Sequence, residues 1–175
     1  MESVNEEVRA QIQEMIALLS SPECTGVGLA APQVGILQRF FITWIDDTEK
    51  ARPLSSEKIR VYINPVLSQP SSELSEEEEG CLSIPGVYGQ VQRPEHIVVR
   101  ALDLQGAEFW EELSGFEARV LMHENDHLNG TLFPDRMKEK ERKSIQSALT
   151  ALKKREKNRS RGIRTPDLLL PKQSR

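Results

Sequence analysis

The chain has 175 residues, 38% of them hydrophobic, which suits one globular domain with a single core and leaves no room for a second enzyme. Its net charge of −4 hides an asymmetry: residues 1–135 hold 9 Lys+Arg against 23 Asp+Glu, while residues 136–175 hold 14 against 4. Two cysteines exclude a disulfide framework, and with no apolar leader and no run of membrane-spanning length the chain is expected to be cytoplasmic, with no membrane partner.

Val4, Val8, Ile12, Ile16 and Leu19 recur at helical spacing behind a capping-box pair, Ser3 and Glu6, so the first element is predicted as a helix. Cys24 follows in a polar loop and reads as an ordinary free thiol. Gly26-Val27-Gly28-Leu29-Ala30-Ala31-Pro32-Gln33 is a small-residue loop before a strand, and its GxG lacks the later glycine of a dinucleotide fingerprint. Strands are predicted at 39–45, 60–64, 96–102 and 107–113, with a polar loop at 46–57 and a hairpin turn at Asp103-Leu104-Gln105-Gly106. Glu76 to Glu79 reads as a solvated acidic turn. A helix is predicted from the capping-box pair Ser114 and Glu117 to the left-handed stop at Gly130. Residues 137–157 form a basic helix with Ile145, Leu149 and Leu152 as its apolar contact, and the aperiodic tail at 158–175 is expected to be disordered. The order is α+β, not an alternating βα repeat.

The chemistry concentrates in His123-Glu124-Asn125-Asp126-His127. On a helix, imidazoles at i and i+4 share one face, with a carboxylate beside the first. Phe116, Val120, His123 and His127 continue one stripe, so the histidines are expected to point inward. A catalytic metal needs a third protein ligand and an open position. The histidine expected six residues after His127 is Phe133, so that continuation fails. Glu139 and Glu141 lie in an open charged segment, and His96 heads a predicted strand. Cys81, in Glu79-Gly80-Cys81-Leu82-Ser83-Ile84-Pro85-Gly86, has glycine for close backbone approach and proline to fix the exit, a frame for a thiolate.

Three motifs in this order, Gly26 to Gln33, Glu79 to Ser83 and His123 to His127, resemble those of peptide deformylases, over about residues 4–157. The resemblance implies a fold of antiparallel strands around a central helix bearing the HExxH motif, with a basic C-terminal helix at 135–157. It implies one catalytic domain over 1–157 that removes the formyl group from the initiator N-formylmethionine of nascent polypeptides. Cys81, His123 and His127 would hold one divalent metal, Fe2+ in the cell, although the donor set also suits Zn2+, Ni2+ or Co2+. Glu124 would be the general base and acid, and the Gln33 amide and Leu82 N–H would stabilise the oxyanion.

Gly28 and Gly80 would bind the peptide, the former as a backbone edge for strand-like pairing. Val27, Phe116 and Val120 would lie near the methionine side chain. Glu79 and Arg93 would pair and brace the cysteine loop, and Asp126 reads either as a partner of that shell or as a solvated helix residue. The partners implied are formylated nascent peptides and, through the basic helix, the ribosome; no specific DNA is expected. Two departures stand out: family members usually carry a further strand ahead of the first helix, and Tyr88 lies near where some members place a peptide-binding arginine.

Overall fold

A computed structural model of the chain describes residues 4–44 and 58–160. Ser3, Ile45, the loop expected at 46–57 and residues 161–175 of the expected tail lie outside the described residues.

Helix α1 (Glu6–Ser20) presents Val8, Ile12, Met15 and Leu19 as one buried stripe. Its cap is Asn5, whose side-chain oxygen accepts the Val8 N–H at 2.9 Å. A five-stranded antiparallel sheet follows, in the order β1 (Gly28–Ala30), β2 (Phe40–Trp44), β3 (Ile59–Ser68), β6 (His96–Leu102) and β7 (Glu108–Ser114). Strand β2 is buried on both faces, and its alternation divides the core. Phe40, Ile42 and Trp44 join Val61 and Ile63 beneath α1, while Phe41, Tyr62, Val99 and Leu113 face Ala118, Leu121 and Met122 of α2 (Gly115–Leu128). The sheet thus lies between two helices, and the helix carrying both histidines sits on its second face.

Helix α2 enters differently from the prediction. Ser114 is the cap residue, but its side chain makes no capping hydrogen bond. The entry is set by Gly115, at φ +54°, whose N–H donates to the Glu95 carbonyl at 2.9 Å. At the far end Gly130, at φ +70°, donates to the His127 carbonyl at 3.2 Å and closes the helix.

The acidic turn expected at Glu76 to Glu79 is instead part of a strand. β4 (Leu74–Cys81) pairs antiparallel with β5 (Ile84–Pro94), and neither was signalled by apolar alternation. The two-stranded ladder supplies the backbone hydrogen bonds, and a third core of Ile84, Val87, Val91, Phe133 and Met137 backs it. Strand β3 also outruns its prediction, continuing past Asn64 (φ +50°) through a register shift between Ile63 and Val66. The short α3 (Phe133–Arg136) leads to α4 (Glu139–Ser160), whose Ile145, Ala148, Leu149 and Leu152 pack on the third core. No helix among the described residues is long and apolar enough to cross a membrane.

Leu121 is completely buried between α2 and the sheet. Leu121→Ala should lower unfolding stability by about 3 kcal/mol, read as a drop in denaturation midpoint at unchanged slope.

Candidate metal centre

Strand β4 and helix α2 meet at Glu79, Cys81, His123 and His127. The ligand atoms of Cys81, His123 and His127 lie within 4.8 Å of one another, with Cys81 Sγ 3.2 Å from His127 Nε2. Among the described residues this is the one such trio, and neither His96, Glu139 nor Glu141 belongs to it. The histidine rings stand edge to face at 5.1 Å, as an i, i+4 pair on one helical face should.

A ring of charge behind the trio orients it. His123 Nδ1 lies 2.9 Å from Glu79 Oε2, which leaves Nε2 for the cleft. Glu79 also accepts from Arg93 Nε at 2.6 Å and from an Arg119 terminal nitrogen at 2.8 Å. Arg93 continues to Asp126 at 2.9 Å, and Arg136 closes on the same carboxylate at 2.5 and 3.1 Å. Asp126 is therefore a buried member of this shell. Arg119 and Arg136 carried no signal in the sequence beyond spacing: Arg119 precedes His123 by one helical turn.

Burial alone would raise the Glu79 carboxyl, but the hydrogen bonds and charges of Arg93 and His123 reverse this and hold it at about 2. Burial likewise works against the Cys81 thiolate, and hydrogen bonds from His123 and His127 overcome it, bringing the thiol down to about 6. His123 shows the complementary shift: against desolvation, Cys81 and Glu79 lift it to about 10. Thiolate and carboxylate on either side of one imidazole call for positive charge, as a cation site should. The donor chemistry of two imidazoles and one thiolate fits a divalent metal.

Glu124 points to the same place. It is 4% exposed, its Oε2 has no hydrogen-bond partner, and burial raises it to about 7 despite the neighbouring histidines. A Cβ at position 28 would overlap the Glu124 carboxylate, so the bare backbone of Gly28 is what admits the acid. Gln33 is fixed by its own oxygen, which accepts the Ala30 N–H at 2.7 Å. Its amide nitrogen then donates to Ser83 Oγ at 3.1 Å and lies 3.8 Å from Cys81 Sγ. Leu82 opens the turn after Cys81, and its side chain covers Gly26. Gly28, Gln33, Gly80, Leu82 and Glu124 all line one cleft of about 470 Å³ with Cys81 and His123. Val27, Phe116 and Val120 line it too, whereas Cys24 packs half-buried against the first core.

The family model described as polypeptide deformylase matches residues 1–143. The chain belongs to the polypeptide deformylase family. It is 44% identical over 134 residues to peptide deformylase 2 of Gloeobacter violaceus, covering 77% of this chain and 68% of that one. It is 45% identical over 147 residues to the peptide deformylase of Pelodictyon phaeoclathratiforme, covering 83% and 76%. Among solved structures, an inhibitor complex of Arabidopsis thaliana peptide deformylase 1B superposes with a TM-score of 0.80 at 32% identity, covering 97% of this chain and 89% of that one. Mixed helices and antiparallel strands in the peptide deformylase arrangement follow, as does the activity: a hydrolase that removes the N-formyl group from nascent peptides. The family is metal-dependent, and the Cys81, His123 and His127 trio is the candidate site in this chain.

Because the Glu79 carboxyl is depressed in the folded state, its contribution to stability is complete above its ordinary 4.5 and is lost as the pH falls toward 2. In metal-free protein, Glu79→Gln should flatten the pH dependence of the urea midpoint across that window. An unchanged slope would show that the charge of Glu79 does not stabilise the fold.

Proposed function

We propose that the cleft between β4 and α2 is the deformylation site, with Cys81, His123 and His127 as metal ligands and Glu124 as general base and acid. Residues 1–157 would act as one catalytic unit built on the HExxH helix as its central element. The observation that carries this reading is Glu124: a buried carboxylate with an unpartnered oxygen, raised to about 7, beside the ligand trio and against a bare glycine. A divalent cation held by the trio would supply Lewis acidity toward the formyl carbonyl and acidify a water beside it.

The protein's own groups do the rest. Glu124 takes the proton of the attacking water at its unpartnered oxygen, for which a pKa near neutrality is well matched. The carbonyl carbon becomes tetrahedral, and its oxyanion accepts hydrogen bonds from the Gln33 side-chain amide and the Leu82 backbone N–H. Ala30 holds the Gln33 oxygen, which keeps the amide nitrogen turned toward Cys81 and Ser83 at the cleft. Glu124 then returns the proton to the departing amine, so formate and a free N-terminus leave. Gly28 and Gly80 flank the cleft and would bind the peptide, with strand-like pairing along β1. Val27, Phe116 and Val120 offer apolar surface to the methionine side chain.

Fe2+ is the metal we assign in the cell, and Zn2+, Ni2+ and Co2+ suit the same donors. The reaction belongs to the cytoplasm, where formylated chains emerge. Anaerobically purified, metal-loaded protein should release formate from formyl-Met-Ala-Ser. Glu124→Gln should lower that rate by about 100- to 10,000-fold at unchanged metal content. Failure of the folded, loaded wild type to release formate would defeat the reading.

The exposed surface of α4 carries Lys143, Lys153, Lys154 and Arg155, outside the apolar contact that Ile145, Leu149 and Leu152 make with the third core. This arrangement supports contact with ribosomal RNA, a sequence-independent electrostatic interaction. Replacing Lys143, Lys153 and Lys154 by glutamate should weaken co-sedimentation with ribosomes, most visibly at low salt, and leave formate release intact. Unaltered co-sedimentation would remove α4 from that role.

A further inference from the structure

We propose that Tyr88 and Glu78 form a subsite that selects a cationic side chain, lysine or arginine, at the second or third position of the formylated peptide. The inference rests on the deformylation reading above and concerns which nascent chains the cleft prefers.

Tyr88 is 59% exposed and lines the cleft mouth. In the β4–β5 ladder it stands opposite Gly80, while Glu78 stands opposite Gln90. Glu78 and Tyr88 therefore rise from the same face as diagonal neighbours, about 7–8 Å apart at the backbone. A Cβ on Gly80 would come 2.6 Å from the Tyr88 ring, so the ring lies across bare backbone and is held at the mouth. Its outer face is left to whatever enters.

The four consecutive glutamates of β4 have separate fates. Lys138 holds Glu76 at 2.8 Å, Glu77 faces Arg119 Nε at 3.4 Å, and Arg93 clamps Glu79. Glu78 has no ion-pair partner among the described residues, and it lines the cleft. Among the described residues Arg119 is the one Arg or Lys in the cleft lining, and it is buried and bound to Glu79, Ser75 and the Val91 carbonyl. Among the described residues a peptide carboxylate entering here finds no unengaged Lys or Arg. An ammonium or guanidinium finds an aromatic face and a carboxylate together, which is how an exposed cation site is built.

The test compares formyl-Met-Ala-Lys, formyl-Met-Ala-Ala and formyl-Met-Ala-Glu, and the same three side chains at the second position, by formate release at low ionic strength. The lysine peptide should exceed its glutamate counterpart by about tenfold in kcat/KM, carried by KM and compressed by added salt. Glu78→Gln should cut that ratio to about threefold and Glu78→Lys should invert it. Tyr88→Leu should reduce the lysine advantage, and Tyr88→Phe should restore it. Calorimetric binding of the products Met-Ala-Lys and Met-Ala-Glu to the metal-loaded protein gives the same preference without turnover.

A ratio within twofold in the wild type, at both positions and in both assays, overturns the proposal. So does a ratio insensitive to both Glu78→Gln and Tyr88→Leu. Formate released from formyl-Met-Ala-Ala with no lysine preference defeats the subsite alone. Preferential binding of Met-Ala-Lys without formate release from any peptide supports the subsite and defeats the deformylation reading.

Discussion

Everything around the cleft depends on one buried carboxylate. Glu79 sits at the crossing of β4 and α2 and accepts from Arg93, Arg119 and His123 at once. A carboxylate taken out of water is costly unless nearly every lone pair is used, and here the donors come from two segments distant in sequence, β5 and α2. Satisfying Glu79 therefore holds a strand, its hairpin partner and a helix in one arrangement. The same carboxylate fixes which nitrogen of His123 faces outward, and Cys81 lies two residues along the same strand face. Stability and the geometry of the Cys81, His123 and His127 trio rest on the same bonds.

Helix α2 divides its surface accordingly. Ala118, Leu121 and Met122 enter the apolar core over the sheet. Phe116, Val120, His123 and Glu124 line the cleft, and Asp126 turns to Arg93 and Arg136. One helix can serve three environments because 3.6 residues per turn spread its side chains around the axis. The absence of a side chain at Gly28 matters as much as any side chain present: it lets Glu124 approach β1 while remaining out of water, and burial raises its carboxyl toward neutrality. A carboxyl poised near neutrality is made there by what surrounds it.

How much of this was legible in the sequence follows from the range of each signal. The i, i+4 histidines, the stripe of α1 and the strands flanking Asp103 to Gly106 are local patterns, and local geometry largely decides them. The same locality explains the failures. Glu76 to Glu79 carries no apolar alternation, so it resembled a solvated turn, whereas the strand is held by its pairing with β5 and by arginines 14 and 40 residues away. Ser114 had the composition of a cap, yet Gly115 and the Glu95 carbonyl set the helix entry through the preceding strand. Asp126 could be read two ways because its partners, Arg93 and Arg136, lie on other elements.

The C-terminal segment shows how position and chemistry are joined. Phe133 and Met137 pack with Ile84, Val87 and Val91 of the cysteine hairpin, and Arg136 reaches the aspartate beside His127. The glycine at 89 leaves the space that Met137 fills, so the hairpin and the start of the last helix are shaped to each other. Only after this docking does α4 turn basic on its outer face. The helix is thus anchored by apolar contacts next to the site while its charge faces away, and whatever binds that charge acts on a helix tied by packing to the strands that carry Cys81 and Tyr88. The basic face and the cleft are in this way held at a set distance by the third core.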